Sequence, residues 1–172
     1  MPSARGQIRT GRLALVLAVV GFSLIGCASS PLFQGFQSTE QQRGVMRWQM
    51  PNGDGLTAEA YFSRSQDGAI ALVIGKEGPT PLLEAVLANG KLAVRGPLLR
   101  DASWSGPVNA APRKLTPWGA LLSAYAQTPA LPDGSPELHT AAYRAQFQKT
   151  AGKLTGLHVV GNDTGDTFTV RF

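Results

Sequence analysis

Apolar and polar residues alternate with a period of two along most of the chain beyond Gly44, and turn-forming residues close each alternating stretch. Met46, Trp48 and Met50 alternate with Arg47 and Gln49, which predicts a strand with one buried face. Pro51-Asn52-Gly53-Asp54-Gly55 then turns the chain, Asn-Gly being the strongest short hairpin signal. Leu56, Ala58, Ala60 and Phe62 mark a second strand, and Ser65-Gln66-Asp67-Gly68 a second turn. Ala69–Ile74, which includes Leu72, is a continuous apolar strand followed by the loop Lys76–Pro81. Leu82–Ala88 and Lys91–Arg95 flank Asn89-Gly90 and form a further hairpin. Leu82–Leu87 also suits a helix by propensity, but Pro81 and Asn89-Gly90 confine it to about two turns, so strand is the reading. Five short strands in succession make an antiparallel meander with one packed and one wet face.

The middle of the chain breaks this rhythm. Gly96–Leu115 is rich in Pro, Gly, Ser and Ala around Trp104 and reads as a long connection without a period. Trp118, Leu121, Leu122 and Tyr125 then fall at i, i+3, i+4 and i+7, with Thr116 as the expected cap and Pro117 at the first helical position. The helix stops before Pro129. After a turn-rich break, Tyr143, Ala145 and Phe147 alternate with Arg144, Gln146 and Gln148. Leu154–Val160 and Phe168–Phe172 complete a last hairpin. The expectation is a mainly β (α+β) single domain over 44–172: strands, one central helix, then strands.

Another kind of apolar stretch lies near the start. Leu13–Cys27, LALVLAVVGFSLIGC, follows Arg5, Arg9 and Arg12 and is too short for the ~20 residues of a spanning helix. Basic flank, short apolar run and small residues before a cut site are the parts of a secretory signal. Leu24-Ile25-Gly26-Cys27 resembles the lipobox of bacterial lipoproteins, which implies a signal peptide over 1–26. Cys27 would then carry the acyl chains, of the palmitate kind, at the new N-terminus. Stable anchoring takes more than one chain. Ala28 follows the cysteine where inner-membrane retention uses Asp, so the expected location is the outer membrane of a Gram-negative bacterium, facing the periplasm. Residues 27–43 read as the lipidated N-terminus and a polar tether.

The leader also changes the charge. It holds three of the sixteen basic residues and none of the eleven acids, so most of the net +5 disappears with it. What remains is no basic stripe of the kind nucleic acid requires. Cys27 is the chain's one cysteine, and its acylation would leave the domain without a disulfide.

Catalytic chemistry finds little support. His139 and His158 are the two histidines, and no HExxH, Gly-x-Ser-x-Gly or Walker pattern occurs. On the strand period His158 faces away from Leu157 and Val159. A zinc site needs three or four converging ligands, and Asn162, Asp163 and Asp166 lack the spacing and closing Glu of an EF-hand. No metal, no cofactor and no enzymatic activity are expected. The apolar faces are the other candidate: Trp48, Phe62, Leu72, Ile74, Trp118, Leu122, Tyr143 and Phe147 line a cavity for an apolar ligand or fill a core.

The order of elements resembles the family of the periplasmic lipoprotein carrier LolA and the outer-membrane lipoprotein receptor LolB. The lipobox, polar tether and Trp-bearing first strand Gly44-Val45-Met46-Arg47-Trp48 carry the likeness. So do the helix Trp118–Tyr125 leading into Leu131-Pro132-Asp133-Gly134, and the last hairpin Leu157–Phe172. The resemblance implies a curved antiparallel sheet, or open half-barrel, covering one or more short helices. It also implies a lipid-anchored protein that binds an acyl chain or lipoprotein in an apolar cavity and serves lipoprotein localisation. The loop matched to the receptor's membrane-inserting loop, Gly75–Pro79, carries Lys76 and Glu77 instead of an apolar residue. The rival expectation is an envelope assembly lipoprotein with a filled core, working through a sheet edge or the Gly96–Leu115 loop.

Overall fold

A computed structural model describes residues 31–75, 80–100 and 103–172. The leader, Cys27 and residues 76–79 of the Gly75–Pro79 loop lie outside the described residues. Ten antiparallel strands form one sheet: β1 (Ser38–Gln49), β2 (Gly55–Ser65), β3 (Ile70–Gly75), β4 (Leu83–Ala88), β5 (Lys91–Arg95), β6 (Ser103–Pro107), β7 (Glu137–His139), β8 (Tyr143–Thr150), β9 (Lys153–Gly161) and β10 (Thr167–Arg171). Their order is β6-β5-β4-β3-β2-β1-β10-β9-β8-β7, so β1 joins the two halves and β6 and β7 are free edges. The sheet curls without closing around α1 (Thr116–Ala126), which packs on β3 and β4 of one wing and β9 of the other. Mainly β with a curved open sheet is therefore the fold.

Cross-strand register fixes which residues share a face. Phe62, Leu72, Ala85, Val94 and Trp104 form one continuous row on the inner face, and Ala60, Ile74 and Leu83 form the next. Along β8 burial alternates residue by residue from Tyr143. A bulge opposite Gln148 and Lys149 leaves one extra residue in β9, and this returns both Leu154 and Leu157 to the inner face. Asn89 and Gly90 both have positive φ, 50° and 71°, as the two-residue turn between β4 and β5 requires.

Three sequence expectations need correction. The polar segment read as tether as far as residue 43 belongs to the sheet from Ser38 onward, pairing with Ser65–Tyr61 of β2. Backbone ladder bonds build that half of β1, and its inner face meets polar groups rather than apolar ones. The Gly96–Leu115 connection contains β6, whose Trp104 pairs with Val94; its Gly and Pro residues hid a short edge strand. Thr116 is the first residue of α1 rather than its cap; Leu115 holds the cap position without a side-chain bond.

Candidate functional site

All eight residues nominated from sequence converge on the concave face and belong to one packed cluster with α1. Phe62, Leu72, Ile74, Trp118, Leu122 and Phe147 are fully buried, Tyr143 is 5% exposed, and Trp48 is half-buried against them. Cys27, the lipid-attachment candidate, lies outside the described residues.

The two ends of α1 meet different chemistry. Near its start, Trp118 packs against Trp48 and Phe168 with ring centroids 4.9 and 5.0 Å away, distances typical of favourable aromatic pairs. The Trp48 indole donates to Asp166 Oδ1 at 2.8 Å, while the fully buried Trp118 Nε1 has no hydrogen-bond partner. Asp166 is thus an indole acceptor beneath the Gly161–Asp166 turn, and Asp163 offers its backbone carbonyl to Arg113.

At the other end a polar latch replaces apolar packing. The last carbonyls of a helix lack internal partners and favour cations. Arg64 reaches from β2 and donates to the carbonyls of Tyr125 and Ala126 at 3.0 and 3.3 Å and to Thr128 Oγ1 at 3.1 Å. It also pairs with Glu40 and lies 5.4 Å from the Tyr125 ring centroid. Lys149 reaches from β8 to the carbonyls of Thr128 and Leu131. The Tyr125 hydroxyl donates to Gln42 Oε1 at 3.0 Å, and the Gln42 amide donates to the Leu154 carbonyl. Burial, followed by the negative charge of Glu40, pushes the Tyr125 phenol far above its ordinary range. Sequence reasoning missed Gln42, Arg64 and Lys149 entirely.

The histidines sit elsewhere. His158 faces outward, its Nδ1 3.1 Å from Thr169 Oγ1, and His139 on the edge strand β7 lies beside Glu137. Among the described residues no group of three or more His, Cys, Asp or Glu comes together that could hold a metal ion, and no helix is long and apolar enough to cross a membrane. On the outer face Arg43, Glu59 and Tyr61 form a hydrogen-bonded trio. The bonds from Tyr61 and then Arg43 hold the Glu59 carboxyl below its usual range. No protein-family model matches the chain, and no curated protein matches it.

Proposed function

We propose that the protein is a lipid-anchored, non-catalytic envelope protein that holds an acyl chain, free or attached to a lipoprotein, between its curled sheet and α1. The observation that carries this reading is a mismatch of size. An eleven-residue helix is about 16 Å long at 1.5 Å per residue, whereas ten strands spaced about 4.8 Å apart make an arc of roughly 43 Å. Leu87, Trp104 and Val108 on one wing, with Leu131, Leu138 and Phe172 on the other, remain half-buried around the core. β6 and β7 are not paired to each other, so no ladder bond ties the two wings at their free edges. Each methylene an acyl chain buried there would contribute about 0.8 kcal/mol. Anchoring through Cys27 at the outer membrane, and membership of the lipoprotein-localisation family, are part of the same proposal.

The tight packing of the eight nominated residues favours a second reading, an interaction lipoprotein with a filled core. Native mass spectrometry on the leaderless Cys27→Ser chain with an acylated peptide separates the two. A stoichiometric adduct that free fatty acid displaces supports the carrier. A mass that ignores the peptide sinks it and leaves the filled core standing. The anchor has its own test: in the full chain, Cys27→Ser should leave the leader uncleaved or release the protein from membranes. Normal processing and unchanged fractionation of that variant would overturn the lipoprotein assignment.

A further inference from the structure

The outer face of β8, β9, β10 and β1 carries a feature that the concave face does not explain. Register places Gln146, His158, Thr169 and Arg47 in one outward row, and Gln148, Gly156, Arg171 and Val45 in the next. Between these rows a cavity of about 280 Å³ opens to solvent. Its polar lining is Gln146, Gln148, His158, Thr169 and Arg171, and it contains no carboxylate. A second cavity of about 310 Å³ adjoins it, shares Gln146 and His158, and adds Arg144, His139 and one carboxylate, Glu137.

Gly156 marks where the floor lies. Its φ is not in the left-handed region, so the backbone there does not demand glycine. A Cβ at this position would stand 2.7 Å from Gln148 Oε1, the movable end of a side chain that lies over the glycine. The glycine thus marks a close approach of the Gln148 side chain, which forms the floor there.

Charge gives the notch a sign. Four arginines point outward from β1, β8 and β10. Arg43 is taken by Glu59, whereas the side chains of Arg47, Arg144 and Arg171 have no ion pair or hydrogen bond among the described residues. Arg47 lies diagonally across from Arg171, because its direct partner is Thr169. Diagonal neighbours stand about 7–8 Å apart, within reach of two long side chains converging on one ligand. His158 Nδ1 is engaged with Thr169, and the Gln146 amide nitrogen is held by Glu137. Guanidinium groups bind phosphate oxygens in two-pronged fashion, with short charge-assisted bonds. The lining has no aromatic platform on which a neutral sugar could stack.

We infer that this notch is a binding site for a phosphate group, with Arg171 in its lining as one cationic arm and Arg47, outside the lining on the neighbouring strand, as a second arm that reaches in. The phosphate can be free or can belong to a lipid headgroup; the binding chemistry is shared. The site lies on the opposite side of the sheet from the proposed acyl-chain cavity and stands or falls independently of it.

Heteronuclear NMR titration of the full chain in neutral detergent tests this. The probes are inorganic phosphate, glycerol 3-phosphate and dihexanoyl phosphatidic acid, at ionic strength held constant with sodium chloride. Saturating shifts confined to the amides of 46–48, 146–148, 156–158 and 169–171 are expected. Arg171→Gln and Arg47→Gln should each weaken binding tenfold or more, and Arg171→Lys should recover part of the loss. Equal affinity for the three probes identifies a site for free phosphate, and tighter binding of the phosphatidic acid identifies a lipid headgroup. Shifts that do not saturate, that sodium chloride alone reproduces, or that persist unchanged in Arg171→Gln would refute the site.

Discussion

Replacing Arg64 by methionine keeps most of the aliphatic stem and removes the guanidinium that closes α1. Two helix-end carbonyls, those of Tyr125 and Ala126, lose their donor, as does the Thr128 hydroxyl oxygen. A hydrogen bond from a charged group contributes about 1.5–3 kcal/mol, and a cation over an aromatic face adds about 0.5–2 kcal/mol. These terms overlap, and the Arg64 side chain is 14% exposed, so water replaces part of what is lost. Glu40 is half exposed and its ion pair adds under about 1 kcal/mol. Together they set the cost of Arg64→Met at about 3 kcal/mol. For a domain of this size that lowers the melting temperature by roughly 6–12 °C. Urea unfolding followed by far-ultraviolet circular dichroism should show a lower midpoint with an unchanged slope. Arg64→Lys, which can serve one acceptor at a time, should fall between. A double-mutant cycle with Thr128→Ala should give a coupling of at least about 0.5 kcal/mol. A loss below about 0.5 kcal/mol for Arg64→Met would show that the latch does not hold the helix, and the account of its C-terminal end would fail.

Three further outcomes follow from the same packing. Burial raises the Tyr125 phenol above its ordinary 10.0, so above that pH the unfolded chain releases a proton that the folded one keeps. Stability must then fall as pH rises, by up to about 1.4 kcal/mol per pH unit for this phenol. Tyr125→Phe should flatten that slope between pH 10 and 11 while costing about 1 kcal/mol at pH 7, through the Gln42 bond it breaks. Leu122→Ala, at a fully buried position, should cost about 3 kcal/mol in urea unfolding, and a cost under 1 kcal/mol would mean that this part of the core is not filled. Asp166→Ala strands the Trp48 indole and should cost about 1–3 kcal/mol with a change in tryptophan emission; Asp166→Asn, which keeps an acceptor, should cost less.

The legible part of the fold was the part governed by the two-residue period. The alternation places Leu56, Ala58, Ala60 and Phe62 on one side of a strand, and they face inward on β2. Asn89-Gly90 was a turn signal with a conformational cause, and both residues adopt the positive φ that the signal presupposes. His158 faces outward between two buried neighbours, as strand geometry alone requires. Edge strands were harder. β6 carries Ser, Gly and Pro around a single Trp, and β7 is three residues long, so neither buries enough apolar surface to write a pattern. Pairing with β5 and β8 makes them strands, and that information is not local.

The polar latch was hidden for a different reason, and its trace in the sequence can still be stated. Counting by twos inward from Met46 reaches Gly44 and then Gln42; counting outward from Phe62 reaches Arg64, and from Phe147, Lys149. Each is in phase with a buried face, on strands β1, β2 and β8. A reading that equates the inner face with apolar residues ends each strand one step too early, and for β1 it turned half a strand into a tether. The inner face is polar there because it meets the carbonyl end of a helix rather than its flank. Those carbonyls must be satisfied in a place that water reaches poorly. Three in-phase polar side chains at the same end of three strands, two of them cationic, are the signature of a helix terminus docked against a sheet. That signature depends on knowing which strands lie side by side, so it becomes readable only once the curl of the sheet has brought β1, β2 and β8 around the end of α1.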